Sequence, residues 1–348
     1  MKGQNPERIA ITIVPVSPKR WRTPMKLPDL AELDAAASLV YQQMQPTPQY
    51  VWPQISQLLD ATVWLKHENH TPTGAFKVRG GITFIDWLMR NQPQYRAIVT
   101  ATRGNHGQSQ ARAAACAGLR STIVVPYGNS HEKNTAMRAF GADLVEHGED
   151  FDAARAEAVR IAQDQGAFLV PPFHRQVMLG VASYGLELFQ AAPTLDTVYV
   201  PIGCGSGICG MIAAREALGL GTEIVGVVST EAPAAKLSFE AGRLIETQTA
   251  RTFADGLAVR VPVAEAFDIY AQGAARMVAV SDSEIAAAIR LLYQGTHNVV
   301  EGAGAASLAA AIQEKTRNIG KTVGVILTGA NIDAQAFAKV LDGGIPRH

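Results

Sequence analysis

Lys77 is the residue whose surroundings most clearly suggest chemistry. It lies in the segment Pro72-Thr73-Gly74-Ala75-Phe76-Lys77-Val78-Arg79-Gly80-Gly81, after the apolar run 62–65 and directly before a stretch with helical character. An amine held between a strand and a helix, behind the ring of Phe76, is poorly solvated, and both desolvation and nearby positive charge lower the pKa of a lysine. The free amine then becomes available as a nucleophile toward an aldehyde. The alternative for this segment alone is a surface lysine that extends from the first turn of a helix.

A second segment has the composition of an anion-binding loop. Pro201-Ile202-Gly203-Cys204-Gly205-Ser206-Gly207-Ile208 follows an apolar run and precedes a helical stretch. Glycines allow backbone N–H groups to surround an anion, and the helix dipole favours its charge, so a phosphate is the natural occupant. A tight strand-to-helix turn and a dinucleotide site are the alternatives. A dinucleotide site also requires an acidic residue after the next strand, and Glu231 follows the run 227–230, so this alternative stays open.

Two further segments place polar groups at the ends of apolar runs. Ala101-Thr102-Arg103-Gly104-Asn105-His106-Gly107 offers hydroxyl, amide and backbone donors at the start of a helix, which suits a carboxylate, although Asn105 could simply cap that helix. Leu327-Thr328-Gly329-Ala330-Asn331 follows the last strong run. There the hydroxyl of Thr328 could contact a ring nitrogen or cap a helix that begins near Asp333.

The elements that must position these segments alternate between β and α patterns. A helix over 30–43, capped by Asp29, lies within an N-terminal extension, residues 1–45. Short β-branched runs predict strands at 97–100, 121–126, 197–201, 223–228, 276–280 and 322–328. Alanine-rich stretches predict helices at 107–117, 132–140, 152–164, 208–217, 282–293 and 303–313. This alternation indicates an α/β fold with buried parallel strands, whose ligands bind at the carboxyl ends of the strands.

Composition excludes several classes of protein. Acidic and basic residues balance at 31 each among 348 residues, which argues against nucleic acid or an anionic membrane as a partner. The three cysteines, Cys116, Cys204 and Cys209, lack metal-site spacing, so a reduced, cytoplasmic protein is expected. Residues 1–24 lack the apolar core of a signal peptide, and no apolar run approaches the length needed to span a membrane.

Taken together, these segments resemble the fold-type II pyridoxal-phosphate enzymes, in particular the serine/threonine dehydratase branch. The resemblance covers about residues 46–340 and rests on the order of its motifs: the lysine segment, Gly104-Asn105-His106, the glycine-rich loop, Ala254-Asp255-Gly256, Glu301-Gly302-Ala303-Gly304-Ala305 and Thr328-Gly329-Ala330-Asn331. It implies a tryptophan synthase β-like α/β fold of two three-layer lobes with mainly parallel open sheets. The large cofactor-binding domain would comprise residues 46–98 and 186–348, and the small substrate-contacting domain residues 99–185. A homodimer is the family expectation.

The resemblance also implies roles for individual residues. Lys77 would bond covalently to the aldehyde of pyridoxal 5′-phosphate and later move the Cα proton. Phe76 would pack beside the cofactor, Asn105 would contact its ring oxygen, Thr328 its ring nitrogen, and the remaining cofactor contacts would be Gly203, Cys204, Gly205, Ser206, Gly207 and Gly256. The expected contacts to the substrate are Thr102, Arg103, Gly104, Asn105 and His106. The reaction implied is β-elimination from a β-hydroxy amino acid, with L-threonine or L-serine as substrate, to a 2-oxo acid and ammonia. A hydroxyl at the ring nitrogen makes a weaker electron sink than a carboxyl, which favours prompt loss of the leaving group.

Two positions depart from the family pattern. Arg103 replaces a small residue, and in related racemases that position supplies a serine acid/base, so an amino-acid racemase is disfavoured. Arg103 could bind the substrate's carboxylate or a second carboxylate at its β-carbon, or it could face solvent or a neighbouring acid. Dehydration of 3-hydroxyaspartate, which Arg103 favours, or of 3-phenylserine is the alternative reaction. Glu231 matches the first ligand of a divalent-cation site found in some relatives, but Leu237 occupies the place of an aspartate, so the metal site is expected to be weakened or absent.

One expectation and two broader alternatives concern the whole chain. Nothing after Thr328 resembles a regulatory module, so we expect no ACT-type feedback domain and a role in amino acid catabolism. A dinucleotide-binding oxidoreductase would leave Lys77 and Asn105 without a role. An inactive binding protein on this scaffold would have no reason to retain Lys77, the glycine-rich loop and Asn105 together.

Overall fold

The computed structural model describes residues 25–346, and in that part of the chain helices alternate with strands as predicted. The N-terminal portion of the predicted extension, residues 1–24, lies outside the described residues. The strands are β1 (Gln49–Val51), β2 (Thr62–Lys66), β3 (Ala97–Ala101), β4 (Arg120–Val125), β5 (Asp143–Glu146), β6 (Phe168–Leu169), β7 (Thr197–Pro201), β8 (Glu223–Ser229), β9 (Arg276–Val280) and β10 (Thr322–Ile326).

The helices follow the predicted order, with further short helices between them. They are α1 (Leu30–Tyr41), α2 (Pro53–Leu59), α3 (Lys77–Asn91), α4 (Asn105–Cys116), α5 (His131–Ala139), α6 (Phe151–Gln165), α7 (Arg175–Ala191), α8 (Ser206–Ala217), α9 (Ala234–Ala241), α10 (Ala264–Gly273), α11 (Asp282–Thr296), α12 (Gly302–Gln313), α13 (Lys315–Asn318) and α14 (Ala334–Leu341). Single 3₁₀ turns cover Glu68–His70 and Asp255–Leu257. None of the helices in residues 25–346 is both long and apolar enough to cross a lipid bilayer.

The larger sheet has the strand order β1-β2-β10-β7-β8-β9, and every pair in it is parallel except β1 with β2. Its central strands are apolar throughout, because both faces are covered by helices. One face packs against α7 and α8, where Val198 and Ile224 join the main core cluster. The other face packs against α11 and α12 through Tyr199 and Val225. The predicted three-layer α/β arrangement is confirmed.

The smaller sheet has the order β5-β4-β3-β6 and is parallel throughout. Alternate residues of β4 face opposite sides of this sheet, since Ile123 packs with α4 and α5 whereas Val124 packs with α6. The predicted domain boundary at 98/99 falls inside β3, and the one at 185/186 falls inside α7. The exact division into two domains therefore stays a prediction.

Two helices that face the candidate site begin earlier than the sequence pattern predicted. The prediction started α4 at 107 and α8 at 208, whereas the structure starts them at Asn105 and Ser206. Glycine and small polar residues at the first helical positions resemble loop residues in a sequence pattern. By contrast, α1 begins where predicted, with Asp29 and Glu32 forming a capping box.

A buried cluster of charges fixes α3, the helix that begins with Lys77. Arg79 is fully buried and donates to Glu68 at 2.7 Å and to Glu187 of α7 at 2.6 Å. Lys66 of β2 donates to the same Glu187 at 2.5 Å. Burial alone would raise the pKa of the Glu187 carboxyl, but Arg79 and Lys66 outweigh that effect and hold it below its usual value. The cluster ties α3 to both β2 and α7, two residues away from the candidate nucleophile.

Candidate active site

One large cavity, of about 1150 Å³, lies at the carboxyl ends of strands from both sheets. This is the place where parallel α/β sheets bind ligands. The structure brings every residue of the predicted site into its wall, namely Phe76, Lys77, Thr102, Arg103, Gly104, Asn105, His106, Gly203, Cys204, Gly205, Ser206, Gly207, Gly256 and Thr328. Residues that lie far apart in the sequence thus share one site, although their individual roles stay predictions.

Lys77 is the first residue of α3 and lies half-buried in this wall. Its Nζ donates a hydrogen bond to Ser206 Oγ at 2.8 Å and lies 4.7 Å from the centre of the Phe76 ring. Burial lowers the pKa of the Lys77 amine, while Cys204 and Glu301 oppose that shift. The neutral, nucleophilic form of the Lys77 amine is therefore more populated than that of a solvated lysine.

The segment that precedes Lys77 is held by the end of β10. The N–H of Phe76 donates to the carbonyl oxygen of Thr328 at 3.0 Å, and the N–H of Ala330 donates to that of Gly74 at 2.8 Å. These bonds place Thr328 and Lys77 in the wall of the same cavity. The side chain of Thr328 does not cap α14, whose N-cap is Asp333, so that alternative is wrong.

The glycine-rich loop brings uncapped N–H groups to the cavity. Helix α8 follows Gly205, which has a φ of 95° and supplies no side-chain cap. A Cβ on Gly205 would lie 2.6 Å from the Cβ of Ala266, and a Cβ on Gly203 would collide with the carbonyl oxygen of Gly256. The loop therefore needs glycine both for its backbone conformation and for its close packing. The unpaired donors of the first helical turn form a site for an anion.

Helix α4 presents a second uncapped N-terminus. Its N-cap is Gly104, and the side chain of Asn105, the first helical residue, does not cap it, so the capping alternative is wrong. Asn105 instead bonds to Glu301 at 2.6 Å and to Asn331 at 2.7 Å. The next residue, His106, is half-buried, and burial, with Lys77 nearby, lowers its pKa to about 3, so the ring is neutral. Its Nε2 has no hydrogen-bond partner within residues 25–346.

Sequence reasoning gave no side-chain role to three charged residues in this wall. Glu301 and Asp255 lie inside motifs that the resemblance uses, but Lys133 gave no signal beyond its position in a predicted helix. Lys133 Nζ donates to Asp255 at 2.6 Å, and Asp255 with Glu301 raises the pKa of this lysine against the opposing effect of burial. Burial raises the pKa of Glu301 to about 7. Both acids and Lys133 also line an adjoining cavity of about 210 Å³.

Arg103 lies where the two cavities meet, because it lines both of them. Its side chain is half-buried, and it has no hydrogen bond or ion pair within the part of the chain that the structure describes. A guanidinium in this position can pair with a carboxylate that enters the cavity.

The sequence pattern of the family described as pyridoxal-phosphate dependent enzymes matches residues 40–329. The chain belongs to this family. Among its relatives, an L-threonine ammonia-lyase of Geobacter sulfurreducens is 37% identical over 295 residues, which cover 83% of this chain and 72% of that protein. The predicted grouping with the threonine dehydratases, the predicted cofactor and the predicted class of ammonia-lyase are confirmed.

Solved structures support the same family. The processed form of threonine deaminase isoform 2 from Solanum lycopersicum superposes with a TM-score of 0.83 and 27% identity, and covers 95% of this chain and 99% of that one. A second solved threonine deaminase, from T.th., gives a TM-score of 0.82 and 30% identity, and covers 88% and 99%. The predicted fold-type II class is therefore confirmed, and the dinucleotide-dependent oxidoreductase is excluded.

The residues of this pyridoxal-phosphate enzyme fit its cofactor. The glycine-lined N-terminus of α8 suits the phosphate, because it offers uncapped N–H groups and no side chain that would fill the space. The amine of Lys77 next to this loop suits the aldehyde. Thr328, the residue predicted to contact the ring nitrogen, is buried in the cavity wall. Its side chain carries a hydroxyl and no carboxylate.

Proposed function

We propose that this enzyme eliminates the β-hydroxyl of a β-hydroxy amino acid, L-threonine or L-serine, as water, and that the resulting enamine takes up water again as it hydrolyses to a 2-oxo acid and ammonia. The observation that carries the proposal is the 37% identity to an L-threonine ammonia-lyase over a stretch that includes most of the cavity wall. Lys77 and the uncapped N-termini of α4 and α8 line the same cavity, and the two N-termini suit a cofactor phosphate and a substrate carboxylate.

The chain's own groups divide the work of the reaction. When bound, pyridoxal phosphate supplies the carbonyl carbon that bonds the substrate amine and the ring that takes up the electron pair left at Cα. The Lys77 amine would accept the Cα proton, because burial lowers its pKa. Ser206, whose Oγ already accepts a hydrogen bond from Lys77, keeps the amine beside the anion-binding loop.

The start of α4 would orient the substrate. Its unpaired N–H groups favour the carboxylate through direct hydrogen bonds and the helix dipole. The neighbouring ring of His106 is neutral, so it adds no positive charge beside the Lys77 amine. Holding the carboxylate fixes the direction of the Cα–H bond relative to Lys77, which lies in the wall of the same cavity.

A panel of β-hydroxy amino acids assayed for ammonia and 2-oxo acid tests the proposal. We expect turnover of L-threonine or L-serine by the wild type, and loss of about 10²–10⁴-fold in Lys77→Ala, the range for removal of an acid–base group. Borohydride reduction of the holoenzyme should label Lys77. A protein that is labelled on Lys77 but turns over neither amino acid contradicts the proposed substrates, whereas unchanged turnover in Lys77→Ala contradicts the mechanism.

A second substrate class is favoured by Arg103. This guanidinium lines the cavity without a partner in residues 25–346, so a β-carboxylate, as in 3-hydroxyaspartate, would meet an opposite charge. An Arg103→Ala variant separates the two cases. Unchanged threonine turnover with lost hydroxyaspartate turnover supports the acidic substrate, and equal losses for both place Arg103 at the carboxylate that all amino acids share. Including 3-phenylserine tests the remaining alternative of this group.

The homodimer stays a prediction from the family resemblance, the cytoplasmic location a prediction from the cysteine content, and the weakened metal site a prediction from the resemblance. Light scattering during size-exclusion chromatography measures the first. For the third, turnover of L-threonine should be unaffected by EDTA or by added Mg²⁺, since Leu237 offers no oxygen ligand. Racemisation is measured in the same assays by the appearance of D-serine, and we expect none because Arg103 replaces the serine acid/base.

A further inference from the structure

A chain of side-chain hydrogen bonds fixes the orientation of Asn105. Asn331 Nδ2 donates to the carbonyl oxygen of Thr73 at 2.9 Å and to Asn105 Oδ1 at 2.7 Å, which uses both of its amide hydrogens. Asn105 Nδ2 in turn donates to Glu301 Oε1 at 2.6 Å. Because Oδ1 must accept and Nδ2 must donate, the Asn105 amide cannot turn over. One N–H of Asn105 remains, on a residue that lines the cavity.

Glu301 ends this chain in a crowded electrostatic environment. Its side chain is buried and lines both cavities, and its own N–H donates to the carbonyl oxygen of Gly329 at 2.9 Å. The charged groups that face it come from three elements: Lys77 from α3, Lys133 from α5 and Asp255 from the 3₁₀ turn Asp255–Leu257. Arg103 lines the same two cavities.

Protonation of Glu301 would change the charge next to the cofactor. Burial raises its pKa to about 7, and Lys133 and the hydrogen bond from Asn105 limit that rise. A carboxylate at this position favours a protonated, positively charged nitrogen on Lys77, whereas a neutral carboxyl does not. The hydrogen bond from Asn105 can persist in both states, because one carboxyl oxygen remains an acceptor.

We propose that Glu301 is a positioning residue that acts through Asn105: it keeps one Asn105 N–H directed at the ring oxygen of pyridoxal phosphate, and its ionisation controls the protonation of the Lys77 nitrogen bonded to the cofactor. The inference rests on the family's cofactor and on the predicted contact of Asn105, not on threonine as the substrate. Glu301 needs no contact with the reacting atoms for this role.

The test is the visible absorbance of the holoenzyme as a function of pH, without substrate. We expect the wild-type band to change with a midpoint near neutral pH, and the midpoint to move by about one pH unit or more in Glu301→Gln, which removes the charge but keeps the size of the side chain. Glu240→Gln removes an exposed carboxylate of α9 and should keep the wild-type midpoint. A wild-type midpoint in Glu301→Gln overturns the inference.

A second variant keeps the inference testable if Glu301→Gln does not retain the cofactor. Asn331→Asp has no hydrogen to donate to Asn105 Oδ1, so the Asn105 amide is released and the midpoint should also move. An unchanged midpoint there contradicts the chain of bonds. Two variants that lose the cofactor yet keep the circular dichroism of the wild type support the positioning role. Because no substrate is present, these outcomes are independent of which amino acid the enzyme consumes.

Discussion

Substituting Gly205 by alanine tests whether the close packing of the glycine-rich loop positions its N–H groups. Gly205 has a φ of 95°, and an added Cβ would lie 2.6 Å from the Cβ of Ala266. Carbon atoms pack at about 3.5–4.0 Å, so the loop and α10 must separate by about 1 Å. The left-handed conformation costs alanine about 1–2 kcal/mol, and overpacking costs a further 1–3 kcal/mol or so. A displacement of about 1 Å at a positioned group can reduce a rate by about 100-fold.

Gly219 supplies the matched control, since it lies just beyond the other end of α8. Its φ of 64° imposes the same backbone cost, but an added Cβ would have nothing within 4 Å. We therefore expect Gly219→Ala to lower the free energy of unfolding by about 1–2 kcal/mol and to leave cofactor affinity unchanged.

Titration of both variants with pyridoxal phosphate, followed by absorbance, measures the difference. We expect Gly205→Ala to bind the cofactor at least about tenfold more weakly than the wild type, which corresponds to about 1.4 kcal/mol. Wild-type affinity in Gly205→Ala would refute the reasoning. So would an equal loss in Gly219→Ala, because backbone conformation alone would then account for the effect.

Two further predictions concern buried charges. Arg79→Met leaves Glu68 and Glu187 without their shared partner, so the free energy of unfolding should fall by about 3–5 kcal/mol in urea titrations. The control is Arg90→Met, on the exposed side of α3. It breaks only the pair with Asp86 and should lower the free energy of unfolding by about 1 kcal/mol or less. Equal losses would mean that the buried cluster does not stabilise α3. In cofactor-free protein, the raised pKa of Glu301 means that the unfolded state releases its proton first, so stability falls as pH rises from the ordinary value of 4.5 toward 7. Between pH 5 and pH 8, the free energy of unfolding of the wild type, measured by urea titration, should fall by about 2–3 kcal/mol more than that of Glu301→Gln. An equal change in the two proteins would contradict the interpretation of Glu301 as a buried acid.

The sequence predicted the alternation of elements well because the buried strands are continuously apolar. The strands β7, β8 and β10 have that character, and both of their faces are covered. The strands β1, β5 and β6 were not predicted, since they are two to four residues long and partly exposed. For such strands, pairing with a neighbour decides the conformation more than local composition does.

The site was predicted in outline because its glycine-rich segments carry their own signal, whereas the side chains that tune it do not. Lys133 resembles any polar residue of an exposed helix, and only tertiary structure shows that it is buried against Asp255. In the same way Glu187 lies far along the chain from Glu68, and their shared contact with Arg79 has no local pattern. Pairings of this kind depend on how α3, α5 and α7 pack, and the hydrophobic periodicity of the sequence does not specify that packing.

The placement of Lys77 between two helix N-termini links cofactor capture to the charge of the nucleophile. Both α4 and α8 direct the positive end of the helix dipole toward the cavity, and Lys77 contacts the first residue of α8. Before an anion binds, these dipoles add to burial in favouring the neutral amine, which is the form that attacks an aldehyde. A phosphate at the N-terminus of α8 would offset that dipole and favour a positively charged nitrogen on Lys77. A glycine-rich loop that held the phosphate would therefore favour the neutral lysine before the cofactor binds and the positively charged nitrogen afterwards.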